Sequence, residues 1–289
     1  MTVVDREGRY VPDLRPEDFL VYEEDLPQTL TYFNTGQDEP VSLGIVVDMS
    51  ESMRSKLTRA RHALYRLADT IQSQDEVFLE AFNQEPLLLQ DFTDSRALVL
   101  QATTRLQPAG GTALYDAILD GLRRIKQGRR QKKALVVVTD GLDTASRTSL
   151  AELTAAIRGA GVLVYTIGIG SPFGGPRMLG PSAGLGPYPG PPGHIIEEAV
   201  DSYMLNSLSE ETGAKHFLLN TSDVVGSGAV LEAAAQTIAT ELRRQYSLGY
   251  RSPLKGDVFR DVRVETRRAG VIVRTQKSTP KRTRPHADE

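Results

Sequence analysis

Asp48, Ser50 and Ser52 stand at alternate positions in VSLGIVVDMSESM, residues 41 to 53, where an apolar run breaks into small oxygen-bearing side chains. Thr112 follows the pair Gly110-Gly111, and Asp140 ends the run ALVVVTD. Every one of these groups is a hard oxygen donor. Oxygen-only ligation suits Mg²⁺, Mn²⁺ or Ca²⁺ and not zinc. The alternation has a geometric reading: a loop curling over a cation aims every second side chain inward, so Met49 and Glu51 point elsewhere. Two carboxylates and three hydroxyls do not fill the six positions that Mg²⁺ prefers. The open position suits an oxygen from a partner, most naturally a carboxylate, because the ion keeps excess positive charge.

Such a set needs elements that bring three distant segments to one place. The runs Ser42–Val47, Ala134–Thr139 and Val162–Ile169 are apolar and β-branched enough to be strands buried on both faces. Val77–Phe82 and Pro86–Phe92 read as further strands joined by a short connection, the second an antiparallel edge. Helical spacing predicts helices over 54–73, 95–106 (capped by Asp94), 112–127, 149–159, 197–212 (stopped by Gly213) and 231–246, with a short strand at 215–219. Strands alternating with helices define a doubly wound, mostly parallel six-stranded α/β sheet flanked by helices. In such sheets ligands bind at the carboxyl ends of the strands. Asp48 and Asp140 both fall at that end, and Thr112 opens a helix between them.

Residues 1–38 and 247–277 alternate apolar and polar residues around turns. They read as β segments, expected to pair with each other into a small sheet beside a domain spanning 39–246. Residues 171–193 contain 14 Gly or Pro among 23 and read as an inserted loop without regular structure. Residues 278–289 read as a disordered tail.

The pattern Asp48-x-Ser50-x-Ser52, Thr112 in GGTALYDAI and Asp140 in VVVTDG resembles the metal-ion-dependent adhesion site of von Willebrand factor A domains. The resemblance covers about residues 40–246, and all five metal positions are intact. It implies that Ser50, Ser52 and Thr112 contact the ion directly, and Asp48 and Asp140 at least partly through water. It also implies a protein partner that offers a carboxylate, and shifts between binding states through the last helix. The flanks VPDLRPEDFLVYEEDLPQTLTYF and YSLGYRSPLKGDVFRDVRVETRRAGVIVRTQKS are similar to the framing segments of a bacterial subgroup of these proteins. That likeness favours an extracytoplasmic setting, although the opening MTVVDREGRY has no apolar signal core.

Competing readings start from the same residues. Ser50 or Ser52 could simply cap the helix that follows, since Ser is a common N-cap. Asp143 and Thr144 read as turn or cap residues. Gly168-Ile169-Gly170 resembles a phosphate loop only faintly, because no helix starts directly after it. His62, His194, His216 and His286 have no ligand spacing. The basic run from Arg123 to Lys133 reads as a solvated helix end, with partner docking as the alternative. Gly-x-Ser-x-Gly is absent, and no base stands beside the carboxylates, so a binding module is expected and not an enzyme. The alternatives are a scaffold that binds through its β flanks and a metal-dependent hydrolase.

Composition narrows the classes further. The chain has 289 residues, 40% hydrophobic and 25% charged, which is ordinary for a globular protein able to bury a sizeable core. A net charge of −3 and the lack of a basic stripe with interleaved aromatics argue against nucleic acid. With no cysteine, disulfides, thiolate metal sites and cysteine nucleophiles are excluded. No stretch approaches the roughly 18 apolar residues of a membrane span. The sequence sets no oligomeric state.

Overall fold

A computed structural model describes residues 1–36, 39–170, 200–220, 227–254, 260–276 and 278–279. The first four strands are short: β1 (Thr2–Asp5), β2 (Phe19–Glu23), β3 (Leu26–Gln28) and β4 (Leu30–Asn34). The central body follows as β5 (Val41–Asp48), α1 (Leu57–Asp69), β6 (Glu76–Phe82), β7 (Pro86–Thr93), α2 (Arg96–Thr103), α3 (Leu114–Ile125) and β8 (Lys132–Thr139). It continues with α4 (Leu150–Arg158), β9 (Leu163–Ile169), α5 (Ser202–Thr212), β10 (His216–Leu219) and α6 (Ser227–Arg243). The chain returns to β structure in β11 (Ser247–Tyr250), β12 (Arg260–Thr266), β13 (Val271–Arg274) and β14 (Ser278–Thr279).

The central sheet has the order β10-β9-β8-β5-β6-β7. Its neighbours run parallel except β7, which pairs antiparallel with β6 at the edge. β5 is buried along its whole length, as expected of a central strand covered on both faces. One face packs on α1, α2 and α6 through Leu64, Leu67, Val99 and Ile238. The other packs on α3, α4 and α5 through Ile118, Leu122, Leu153 and Leu205. Gly44 sits in the middle of β5 because a Cβ there would lie 2.5 Å from the Phe78 ring and 2.6 Å from Leu135.

The two ends of the chain pair with each other, in three short antiparallel sheets: β1 with β13, β4 with β11, and β14-β12-β2-β3. Tyr246 joins them to the body. It follows α6, is fully buried, and stacks within 5.4–5.9 Å of Phe19, Tyr10 and Phe33. Its hydroxyl donates to the Val11 carbonyl at 2.7 Å and accepts from the Leu14 N–H at 3.1 Å. Ahead of it, the buried Glu241 carboxylate accepts from the Tyr165 hydroxyl at 3.1 Å and pairs with Lys215 and Arg274. This fastens α6 to β9, to β13 and to the turn before β10.

Several boundaries differ from the sequence reading. α1 begins at Leu57 and not Arg54, because a single 3₁₀ turn over Glu51–Met53 precedes it. Ser95, not Asp94, caps α2, its hydroxyl accepting from the Leu98 N–H. Ser278 and Thr279, expected to open a tail, pair with β12. The Gly/Pro-rich loop at 171–193 and residues 280–289 lie outside the described residues. The basic run from Arg123 is partly tied to the fold, Arg124 pairing with Glu80 and Asp120, Arg129 with Glu76, and Lys132 donating to the Gly36 carbonyl, while Arg123, Lys126 and Arg129 stay exposed.

Candidate functional site

β5 and β8 are adjacent parallel strands, in register from Val41↔Lys132 to Val47↔Val138. The register therefore brings Asp48 level with Thr139 and leaves Asp140 one residue further on, at the same carboxyl edge. Both aspartates are fully buried. The chain leaves β5 through Met49, whose N–H donates to the Phe82 carbonyl at 2.8 Å and whose side chain enters the core. Glu51 turns outward and forms a two-pronged pair with Arg54, at 2.6 and 2.7 Å, on the exposed rim.

Asp48 is held from both sides. Its Oδ1 accepts from the Ser50 N–H at 2.8 Å and its Oδ2 from the Thr139 hydroxyl at 2.6 Å. Ser50 occupies the N-cap position of the 3₁₀ turn, but its side chain caps nothing. Its Oγ instead faces Ser52 Oγ at 3.1 Å. For Ser50, the capping reading therefore gives way to paired hydroxyls above a buried carboxylate.

Thr112 reaches the same edge through its backbone. Its N–H donates to Thr144 Oγ1 at 3.0 Å, and its carbonyl accepts from the N–H groups of Thr144 and Ala145. The preceding loop is pinned to the first segment by Glu51 N–H to the Gly110 carbonyl at 3.0 Å and Ala109 N–H to the Met49 carbonyl at 2.9 Å. Thr112 does not cap α3. Asp143 and Ser146 do so from across the rim, accepting from the N–H groups of Leu114, Tyr115 and Asp116. Gly141 has φ +81°, a conformation that favours glycine, and lets the chain turn directly after Asp140.

Sequence reasoning missed two residues. Thr139 was visible only as strand, yet its hydroxyl serves Asp48 and also accepts the Gly141 N–H at 3.0 Å. Lys56 is 1% exposed and donates through Nζ to Asp140 Oδ2 at 3.1 Å. No feature of the sequence around Lys56 marked it, since it stands between the 3₁₀ turn and α1 like any surface lysine.

Burial, and next the nearby Asp140 charge, push the Asp48 carboxyl up to about 6, against the hydrogen bonds from Ser50 and Thr139. Two buried carboxylates thus stand against one ammonium, which pairs with Asp140, and this leaves uncompensated negative charge beside a pair of hydroxyls. That donor set fits a hard divalent cation. Among the described residues, no group of three or more His, Cys, Asp or Glu side chains could hold a metal, so an ion here would lean on the hydroxyls.

A doubly wound α/β domain with an oxygen-lined rim is the class that fold and site define. Residues 43–142 match the family model for the von Willebrand factor type A domain. The chain is 25% identical over 134 residues to inter-alpha-trypsin inhibitor heavy chain H4 of Bos taurus; the match takes in 42% of this chain and 15% of the bovine protein's length. Two bacterial structures share the fold. One is an aerotolerance-related membrane protein from Bacteroides fragilis (20% identity, 71% of this chain and 100% of that one, TM-score 0.55). The other is a von Willebrand factor type A protein from Catenulispora acidiphila (16% identity, 78% of this chain and 49% of that one, TM-score 0.54). Among the described residues, no helix is long and apolar enough to cross a membrane.

Proposed function

We propose that this chain is a metal-ion-dependent protein-binding module. Asp48, Ser50, Ser52, Thr112 and Asp140 would hold one divalent cation, Mg²⁺ first and Mn²⁺ or Ca²⁺ as alternatives. The bound ion would supply a Lewis-acidic position that accepts a carboxylate from a protein partner. The observation that carries this reading is the Ser50–Ser52 hydroxyl pair at 3.1 Å, with Ser50 capping nothing, beside two fully buried aspartates. An extracytoplasmic setting belongs to the same reading and rests on the likeness of the flanks.

Thermal melts of the chelated protein with added Mg²⁺, Mn²⁺ or Ca²⁺ test the site. Binding to the native state alone adds roughly 2.7 kcal/mol at a hundred times the dissociation constant. Stabilisation is expected in the wild type and not in the Asp48→Ala/Asp140→Ala double variant. Equal behaviour of the two would sink the metal reading. A pull-down with and without chelator then tests the partner.

A scaffold reading has one observation in its favour. A groove of about 320 Å³ lies between the segment from Val4 to Tyr10 and α6, lined by Arg9, Tyr10, Gln236, Thr237 and Glu241. It predicts that Asp48→Ala leaves partner capture intact. The hydrolase alternative predicts a detectable turnover that Asp140→Ala abolishes.

A further inference from the structure

Lys56 has no role in the five-oxygen set, yet it is the most deeply committed cation at the rim. Its side chain is 1% exposed and its partner Asp140 is fully buried. An ammonium is withdrawn from water only where a counter-charge holds it. Lys56 lies directly before α1 and reaches across to β8, 84 residues further along the chain. Asp140 Oδ2 is thereby anchored from behind, while among the described residues Oδ1 accepts a long bond from the Leu142 N–H at 3.4 Å.

The charge count has a consequence for any ion that arrives. With Lys56 in place, the buried pair of aspartates presents one net negative charge instead of two. A divalent cation neutralises that and leaves one positive charge in excess. Without Lys56 the loaded site would be neutral. The ammonium therefore loosens the hold on a bare ion and strengthens the pull of the loaded site on an anion. We propose that Lys56 is a positioning residue whose fixed charge orients Asp140 and shifts affinity from the bare cation to the incoming carboxylate. This rests on the cation-site reading above and deepens it.

The test is Mn²⁺ titration by calorimetry on the full chain, comparing wild type with Lys56→Met, Lys56→Gln, Lys56→Arg and Asp48→Ala. Removing a unit charge a few ångströms away, at an effective dielectric of about 20, corresponds to at least tenfold in affinity. Lys56→Met and Lys56→Gln are expected to bind Mn²⁺ at least about tenfold more tightly than wild type, and Lys56→Arg about as the wild type does. Added acetate should tighten Mn²⁺ binding more in the wild type than in Lys56→Met, since coupling between two ligands is reciprocal. If the two neutral variants unfold without metal, recovery of their melting transition by Mn²⁺ supports the proposal, and no recovery overturns it. Mn²⁺ bound by Lys56→Met but not by wild type supports it. Equal affinities in wild type and Lys56→Met, with binding lost in Asp48→Ala, overturn the role of Lys56 and leave the cation site standing. No Mn²⁺ uptake by any of these chains overturns both.

Discussion

The Thr139 hydroxyl donates to Asp48 Oδ2 at 2.6 Å across two neighbouring parallel strands, and the same oxygen accepts the Gly141 N–H at 3.0 Å. One side chain thus orients the first aspartate of the rim and shapes the turn behind the second. Thr139→Val keeps the volume and removes both bonds at a fully buried position. It is expected to destabilise the protein by about 1–3 kcal/mol, the penalty for stranding buried polar groups. Thr139→Ser should stay close to wild type. Urea unfolding of the three proteins checks this, and equal midpoints for wild type and Thr139→Val would contradict it.

The Ser50 and Ser52 hydroxyls face each other, and that of Ser50 caps nothing. Ser50→Ala and Ser52→Ala are each expected to change metal-free stability by less than about 1 kcal/mol. Both should nevertheless reduce the rise in melting temperature caused by millimolar Mg²⁺ or Mn²⁺. A substitution that destabilised the chelated protein strongly, while leaving the metal response whole, would assign these serines to folding alone.

Glu80 gives a pH dependence remote from the rim. It lies in β6, fully buried, with Arg124 Nε at 3.2 Å and its Oε1 without a hydrogen-bond partner. Burial first, and then the Asp120 charge, push its carboxyl from the ordinary 4.5 up to about 8. Because the folded value lies above the unfolded one, the native state holds this proton more tightly. The stability it contributes is fully present below pH 4.5 and is lost as the pH rises through about 8. Glu80→Gln should flatten that decline and gain on the wild type toward pH 8. Denaturant unfolding at several pH values decides it, and parallel profiles would refute it.

Tyr246→Phe keeps the ring stacked among Tyr10, Phe19 and Phe33 but leaves the Val11 carbonyl and the Leu14 N–H without their partner. A loss of about 1–3 kcal/mol is expected. Hydrogen exchange should show the first loosening at residues 10–14, not in the central sheet. Loosening that began in β5 would mean that the flanks and the body unfold as one unit.

Much of the fold was legible because central strands in a parallel sheet must be apolar on both faces, as in VSLGIVV and ALVVV. The rim aspartates were legible because they terminate those strands. Lys56 was not, because a lysine in sequence carries no mark of burial; only its ion pair with Asp140, 84 residues away, reveals it. Thr139 was hidden for a related reason, since a threonine is as natural in a strand as a valine. Asp94 was read as the cap of α2 where Ser95 takes that place, a choice set by backbone angles of φ −84°, ψ 102° that residue types alone do not give. Pairing of β4 with β11 joins residues more than two hundred positions apart, and alternation alone cannot name a partner strand.

The ladder between β1 and β13 sets Thr2 opposite Arg274 and Asp5 opposite Val271. The incoming end of β1 therefore lies beside the outgoing end of β13. Tension applied across these two points would not shear the ladder as a block. It would open it like a zipper, one rung at a time from Thr2 inward, at low force. The outer strands would then act as a mechanical fuse that yields before the strands carrying Asp48 and Asp140 feel the load. In a single-molecule stretching trace this is expected as a small early extension, separate from the rupture of the central sheet.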